Sequence, residues 1–224
     1  MSGIGYDISP AMELKGQIEL LKYRLLNMVK RKYGGEPVSI VFTSYRPHEG
    51  VSTVTSNFAL SLSAENGCNV LLVDCNQKKP SLHKIFKMNG DVVKQDQETL
   101  PDKPVLRGEH IAHVQNNLDL IVRENKAGEK ERVVSIYEFN LFLQADKIKY
   151  DFIVIDCPAL CSTSYSTLLA ATVDATVLVV EAERVRRQAL KRAIDKLEEL
   201  GANICGVVLN KRRYPIPGMI YRML

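Results

Sequence analysis

Short, almost uniformly apolar segments recur along this chain, and they constrain its fold more than any other feature. Each is five to seven residues long and rich in Val, Ile and Leu, which is typical of buried β-strands. They cover residues 38–44, 69–74, 118–122, 152–156, 175–181 and 204–209. Because strands this apolar are covered on both faces, the pattern predicts an α/β fold: a doubly wound, mostly parallel sheet flanked by helices.

The stretches between these strands have the apolar spacing of helices. Helices are expected over residues 11–32 and at about 52–65, 133–147, 165–172 and 184–200. Residues 89–117 are polar and contain two prolines, so we expect a long irregular surface excursion there. The whole chain, 1–224, is expected to form a single domain, with an N-terminal helical region (1–36) and a basic C-terminal tail (211–224).

Composition is that of an ordinary globular protein. Of the 224 residues, 46% are hydrophobic and 25% are charged, which suffices for one full core. No basic-then-apolar leader opens the sequence, and its most apolar region, 168–182, is too β-branched for a membrane helix. The five cysteines form no C-x-x-C pair, so reduced and mostly buried thiols are expected. We therefore expect a cytoplasmic protein.

Polar residues at three strand ends point to a ligand site, because ligands of open parallel sheets bind beyond the carboxyl ends of the strands. The first strand runs into the loop TSYRPHEGVST, residues 43–53, and then a helix, which is the layout of a phosphate-binding loop. The second and fourth strands end in Asp74 and Asp156. Carboxylates there suit a magnesium ion while loop amides hold phosphate. Together the three features predict a Mg²⁺–nucleotide site.

With these motifs, the chain resembles the cytoplasmic domain of the bacterial tyrosine kinases of capsule and exopolysaccharide export, in the MinD/ParA-like branch of P-loop ATPases. The loop matches the pattern T-S-x-x-P-G-E-G-K-[ST]-T at Thr43, Ser44, Pro47, Glu49, Gly50, Ser52 and Thr53. The second motif matches at Leu71, Leu72, Val73, Asp74, Pro80, Ser81, Leu82, His83 and Phe86. The third matches at Tyr150, Asp151, Ile153, Val154, Ile155, Asp156 and Pro158.

The resemblance implies a role for each matching position. ATP or ADP with Mg²⁺ would be the cofactor, and the phosphates would lie on Glu49, Gly50, Ser52 and Thr53. Asp74 and Asp156 would be the catalytic positions, and Ser52 would join them around the metal. Asn210, at the end of the sixth predicted strand, would contact adenine as it does in relatives.

Departures from the family pattern fall on the residues that carry its chemistry. Val51 replaces the lysine of the loop, His48 a glycine, Asn76 the second acid of Asp-x-Asp, Lys78 an arginine and Ala159 a proline. A lost charge-assisted hydrogen bond weakens binding by about 1.5–3 kcal/mol. If position 48 needs a positive φ, histidine is strained there by about 1–2 kcal/mol.

These departures favour a pseudo-kinase: a regulatory protein of polysaccharide export that acts by protein contact and binds nucleotide weakly or not at all. One alternative is an active, autophosphorylating kinase in which Lys78 or Lys79 supplies the missing cation. Another is a MinD/ParA-like positioning ATPase, but no lysine lies between Val38 and Thr53, where such proteins need one for nucleotide-gated dimerisation.

The family also suggests partners at the inner face of the bacterial membrane: a membrane chain-length protein (polysaccharide co-polymerase) or an active kinase, with no nucleic acid. The tail cations Lys211, Arg212, Arg213 and Arg222 suit phosphates, anionic lipid or an acidic partner, or form a solvated end. Tyr214 and Tyr221 are candidates for phosphorylation or for packing contacts. The ring-forming pattern E-x-x-R-x-x-R reads Glu19, Lys22 and Leu25 here, so a homo-oligomer stays open without the family's ring being implied.

Overall fold

The computed structural model of the chain describes residues 12–32, 38–65, 67–76, 80–88, 109–115, 117–123, 139 and 150–211. The helices in these ranges are α1 (Met12–Lys32), α2 (Val51–Ser63), α3 (Leu82–Ile85), α4 (Ser164–Thr172) and α5 (Arg187–Glu199). The strands are β1 (Val38–Ser44), β2 (Val70–Asp74), β3 (Glu109–Gln115), β4 (Leu118–Arg123), β5 (Phe152–Asp156), β6 (Ala175–Glu181) and β7 (Ile204–Asn210). The predicted helix at 133–147 lies outside the described residues except for Phe139, which is buried.

The strands form one sheet in the order β3-β4-β2-β5-β1-β6-β7. Every neighbouring pair is parallel except β3 and β4, which are antiparallel. The predicted α/β fold, a doubly wound and mostly parallel sheet, is therefore confirmed. Because β1 lies between β5 and β6, the loop that follows β1 opens at the centre of the carboxyl edge of the sheet.

Strand β3 corrects the prediction of an irregular excursion over 89–117. Residues 109–115 pair with β4 in antiparallel register, with Ile111 opposite Ile121. Ala112 and Val114 point to the core and are buried, while His113 between them is exposed. An edge strand that buries only one face alternates between apolar and polar residues. A strand prediction based on unbroken apolar runs therefore does not detect it. Helix α5 also begins later than predicted, at Arg187, after a turn in which Glu183 has a φ of 63°.

Two apolar layers cover the sheet, one on each face. In β1 the side chains alternate between them: Ile40 and Phe42 belong to the layer under α1 and α2, and Val41 to the layer under α4 and α5. The rings of Phe42 and Phe58 lie 5.0 Å apart and join β1 to α2. Such a pair is worth about 0.5–1.5 kcal/mol beyond its buried area. This double cover fixes the strand ends that carry the site.

Helix α1 is bound along α2 and the edge strand β7. Lys22 is almost buried, at 9% exposure, and forms ion pairs with Glu19 at 2.7 Å and Glu65 at 2.8 Å. Leu25 is 1% exposed, within the core. The side-chain amide of Gln17 donates to and accepts from the backbone of Leu209 on β7. The three positions aligned with the family's ring-forming pattern therefore make contacts within this chain.

Candidate functional site

The loop between β1 and α2 has the backbone of a tight strand-to-helix turn. Gly50 has a φ of 88° and precedes the first residue of α2, and its carbonyl accepts from the Val54 N–H at 3.0 Å. A Cβ at Gly50 would collide with Nδ2 of Asn210, so a larger residue there would have to displace that side chain. The requirement for glycine at this position comes from both the backbone conformation and the close approach of β7.

His48 occupies a left-handed backbone conformation, with a φ of 68°, and its side chain is exposed. From the sequence, strain was expected at His48 only if its φ were positive, and its φ is positive. The residue therefore carries the cost of about 1–2 kcal/mol that a non-glycine residue has in this region.

Glu49 is completely buried inside the loop, at 0% exposure. Its Oε2 accepts from the backbone N–H of Arg46 at 3.2 Å, and its Oε1 has no hydrogen-bond partner among the described residues. Burial raises the pKa of this carboxyl, although loop N–H groups oppose the shift. Glu49 can therefore serve a ligand through its backbone, because its side chain faces the protein interior.

Val51, in the place of the family's lysine, is the first residue of α2. Its partly buried side chain packs against the apolar layer under α1 and α2. The substitution therefore removes a cation from the loop and adds an apolar contact beneath it. Next along the helix, Ser52 is half-buried, and Thr53 is exposed with its carbonyl accepting from the Asn57 side chain at 2.8 Å.

Asp74 and Asp156 lie opposite each other at the ends of the neighbouring strands β2 and β5. Asp156 is 1% exposed, and its Oδ2 has no hydrogen-bond partner among the described residues. Burial, and then the charge of Asp74, raise the pKa of Asp156 to about 8, against the effect of a hydrogen bond from Ser52. The site thus places a buried acid, Asp156, beside a half-buried one, Asp74, and each disfavours the other's charge.

Asp74 also organises the chain that follows β2. Its Oδ1 accepts from the backbone N–H of Asn76 at 2.9 Å, and its Oδ2 accepts from the N–H groups of Ser81 at 2.8 Å and Leu82 at 3.1 Å. The Ser81 hydroxyl donates to Oγ of Ser52 at 2.9 Å. Asp74 therefore fixes Ser81, and it is the Ser81 hydroxyl that links the second motif to Ser52 of the phosphate loop, a contact that the sequence motif did not reveal.

The residues at this position fit a magnesium ion. Mg²⁺ takes oxygen ligands and keeps several waters, with one or two carboxylates from the protein. The Ser52 hydroxyl, the two aspartates and the unpaired Oδ2 of Asp156 supply that chemistry, and a cation beside them would favour both carboxylates in their charged form. Within the described residues no cluster of three or more His, Cys, Asp or Glu side chains could hold a metal ion by itself.

Two residues at the end of β7 bind backbone carbonyl groups of the loop. Nδ2 of Asn210 donates to the carbonyl of Glu49 at 2.9 Å. Nζ of Lys211 donates to the carbonyl of His48 at 2.5 Å and lies 3.4 Å from Oε2 of Glu181. Lys211 was predicted only as part of a basic tail, and its position directly after Asn210 was the signal that could have placed it here. Lys78, Lys79, Tyr214 and Tyr221 lie outside the described residues.

Two other sequence-based expectations concern the burial of the cysteines and the absence of a membrane helix. Cys75 and Cys157 are buried as expected for structural thiols, and burial raises the pKa of Cys157 to about 12. Cys68 and Cys205 are half-buried, and Cys161, which lies outside the apolar runs, is exposed. Across the ranges that the structure describes, no helix has the length and apolarity needed to cross a membrane.

A mostly parallel sheet, a glycine-bearing loop between β1 and α2, and an aspartate on each of two neighbouring strands define a P-loop nucleoside triphosphatase fold. Residues 40–219 match the family model ParA, described as NUBPL iron-transfer P-loop NTPase. The chain belongs to this family of P-loop NTPases, as its resemblance to the MinD/ParA-like branch predicted.

Several relatives are tyrosine kinases by name. Tyrosine-protein kinase CpsD of Streptococcus agalactiae is 29% identical, over 80% of this chain and 77% of the relative. Putative tyrosine-protein kinase CapB of Staphylococcus aureus is 26% identical, over 77% of this chain and 75% of the relative. The chain is thus similar to bacterial tyrosine kinases over most of its length.

Solved structures give the same fold. The kinase domain of VpsO matches with a TM-score of 0.67 and 25% identity, over 91% of this chain and 100% of that domain. The cell division protein MinD of Aquifex aeolicus matches with a TM-score of 0.61 and 22% identity, over 83% of this chain and 73% of that protein. The second likeness is one of fold alone.

Proposed function

We propose that this protein is a pseudo-kinase: a tyrosine-kinase-like regulatory protein of exopolysaccharide or capsule export that acts by protein contact, with little or no ATP hydrolysis. The observation that carries the proposal is Val51, packed on the core at the loop position where the related kinases need a lysine. A lysine there would reach the β- and γ-phosphates of a nucleotide. Its loss removes a charge-assisted hydrogen bond, of about 1.5–3 kcal/mol in binding, from the group that would be transferred.

Further features of the loop support the same proposal. His48 is strained where the family has glycine, and Glu49 turns its carboxyl inward, so the loop departs from the family pattern in its backbone as well as in the lost lysine. Asn76, in place of an acid, removes a negative charge from the side of the metal. We therefore propose that Mg²⁺–ATP or Mg²⁺–ADP binds weakly if it binds at all.

The runner-up is an active ATP-dependent tyrosine kinase with a non-standard loop. It is favoured by the cluster of Ser52, Asp74 and Asp156, which retains an unpaired Oδ2 that fits a metal ion. This alternative requires tight, Mg²⁺-dependent ATP binding. A MinD/ParA-like positioning ATPase ranks below it, because that activity needs a loop lysine for nucleotide-gated dimerisation.

The partner that we propose is a membrane protein that sets polysaccharide chain length, or an active kinase, at the inner face of the cell membrane. Action through contact is supported by apolar side chains left on the surface of α1. Leu20 is 62% exposed and Tyr23 is 67% exposed, although α1 is otherwise bound to α2 and β7. Side chains of this kind are typical of protein–protein contacts.

ATP hydrolysis and tyrosine phosphorylation by the purified protein with Mg²⁺ test the proposal. The wild type is expected to show the same background rate as Asp156→Ala. A wild-type rate that falls to background in Asp156→Ala would establish the active kinase instead. A calorimetric titration with Mg²⁺–ATP compares the wild type with the double variant His48→Gly, Val51→Lys. The double variant is expected to bind more tightly, because it restores the glycine and the cation of the loop.

A further inference from the structure

The backbone of the phosphate loop is held from outside by the end of β7. The carbonyls of His48 and Glu49 accept from Lys211 and Asn210, and the carbonyl of Gly50 accepts from Val54 inside α2. In a planar trans peptide, the N–H of the next residue points opposite to the carbonyl. Holding these carbonyls outward therefore turns the following N–H groups toward the inside of the loop, where a phosphate would lie.

Both the ammonium group and the end of the aliphatic chain of Lys211 lie against the loop. Its Nζ donates to the carbonyl of His48, while its Cε lies 3.9 Å from the place a Cβ would take on Gly50. Oε2 of Glu181 lies 3.4 Å from Nζ and also accepts from Arg184 at 2.7 Å. The ammonium group of Lys211 thus points to the loop, and its ion pair with Glu181 holds it there.

Left-handed backbone conformations are concentrated at this junction. Among the described residues, four non-glycine residues have a positive φ, and three lie here: His48 at 68°, Glu183 at 63° and Lys211 at 54°. Strained backbone of this kind persists where its surroundings over-determine it. The contact between Lys211 and His48 joins two of these residues directly and supplies such a restraint.

We propose that Lys211 is a positioning residue of the phosphate loop. It holds His48 in its left-handed conformation and turns the N–H group of Glu49 toward a bound phosphate, as Asn210 does for the N–H group of Gly50. It also polarises the His48–Glu49 peptide, because a charged donor on a carbonyl makes the attached N–H a stronger donor. The inference rests on the loop being the phosphate site of the proposed function, but it is independent of whether the protein transfers phosphate.

Hydrogen exchange of the loop amides, read by mass spectrometry, tests the positioning role. Lys211→Met keeps the length of the side chain and removes its charge, and Lys211→Arg restores a charged donor. Lys191→Met is the matched control, because Lys191 is exposed on α5 and has no ion pair with any described residue. With saturating Mg²⁺–pyrophosphate, the amide of Glu49 is expected to exchange about tenfold faster in Lys211→Met, because it is no longer held toward its phosphate acceptor. Amides of β1 and β5 provide the internal reference, and should not change.

Calorimetric binding of inorganic pyrophosphate with Mg²⁺ is measured on the same variants. Affinity is expected to fall about tenfold in Lys211→Met, to recover in Lys211→Arg and to stay unchanged in Lys191→Met. The inference would be overturned if loop exchange were unchanged in Lys211→Met. It would also be overturned if Lys211→Met bound pyrophosphate as tightly as the wild type, or if neither protein bound it. Kinase activity in the wild type would overturn the proposed function alone, since the exchange result for Lys211 does not depend on it.

Discussion

Replacing Asp156 by asparagine is expected to stabilise the protein at neutral and alkaline pH, because the fold disfavours a negative charge at this position. The carboxyl is 1% exposed and faces Asp74 across two neighbouring strands. Burial and the charge of Asp74 raise its pKa from the ordinary value of 3.8 to about 8. Asparagine keeps the shape of the side chain and cannot ionise.

The size of the effect follows from the difference between the folded and unfolded pKa values. Below about pH 4 the carboxyl is protonated in both states and the wild type carries no penalty. As the pH rises from about 4 to about 8, only the unfolded chain releases the proton, so the free energy of unfolding falls by about 1.4 kcal/mol per pH unit. The sum at pH 7 is about 4 kcal/mol for an isolated group. Because burial also raises the pKa of Asp74, the two acids share the penalty, and we expect about 2–4 kcal/mol.

Urea unfolding in the presence of a chelator, from about pH 4.5 to about pH 8, measures this difference. The wild type and Asp156→Asn are expected to converge at the acidic end and to separate as the pH rises. Asp195→Asn, an exposed replacement on α5, is the control and should follow the wild type. Mg²⁺ without chelator should stabilise the wild type more than Asp156→Asn. A gap that does not change with pH, or a variant less stable than the wild type at pH 8, would refute the reasoning.

Two further replacements test how β7 and α1 hold the site. Gly50→Ala is expected to lower the free energy of unfolding by at least about 1–2 kcal/mol, since it adds strain at a φ of 88° and a collision with Asn210. The added replacement Asn210→Ala should recover the part due to the collision, which urea unfolding of the single and double variants measures. Gln17→Ala removes both hydrogen bonds to Leu209 and should cost about 1–2 kcal/mol. Faster amide exchange at Leu209, with β5 unchanged, is the expected local readout.

Much of the architecture could be predicted because its signals are local. The apolar runs at residues 38–44 and 175–181 became β1 and β6 with the bounds expected. Because ligands bind at the carboxyl ends of parallel strands, the sequence alone predicts that Asp74 and Asp156 belong to one site. The prediction failed at 109–115, where an edge strand needs only one apolar face, and its polar residues gave the pattern of a loop.

The sequence by itself determined the fold class, the position of the phosphate loop and the loss of its lysine at Val51, because these are properties of neighbouring residues. Only the tertiary structure decided which cation contacts that loop. His48 and Lys211 are 163 positions apart, and they meet because β1, β6 and β7 are neighbours in the sheet. It also decided that Glu49 faces inward and that Val51 packs on the core, since burial depends on elements distant in sequence. A contact between chain segments so far apart leaves no local periodicity from which it could have been predicted.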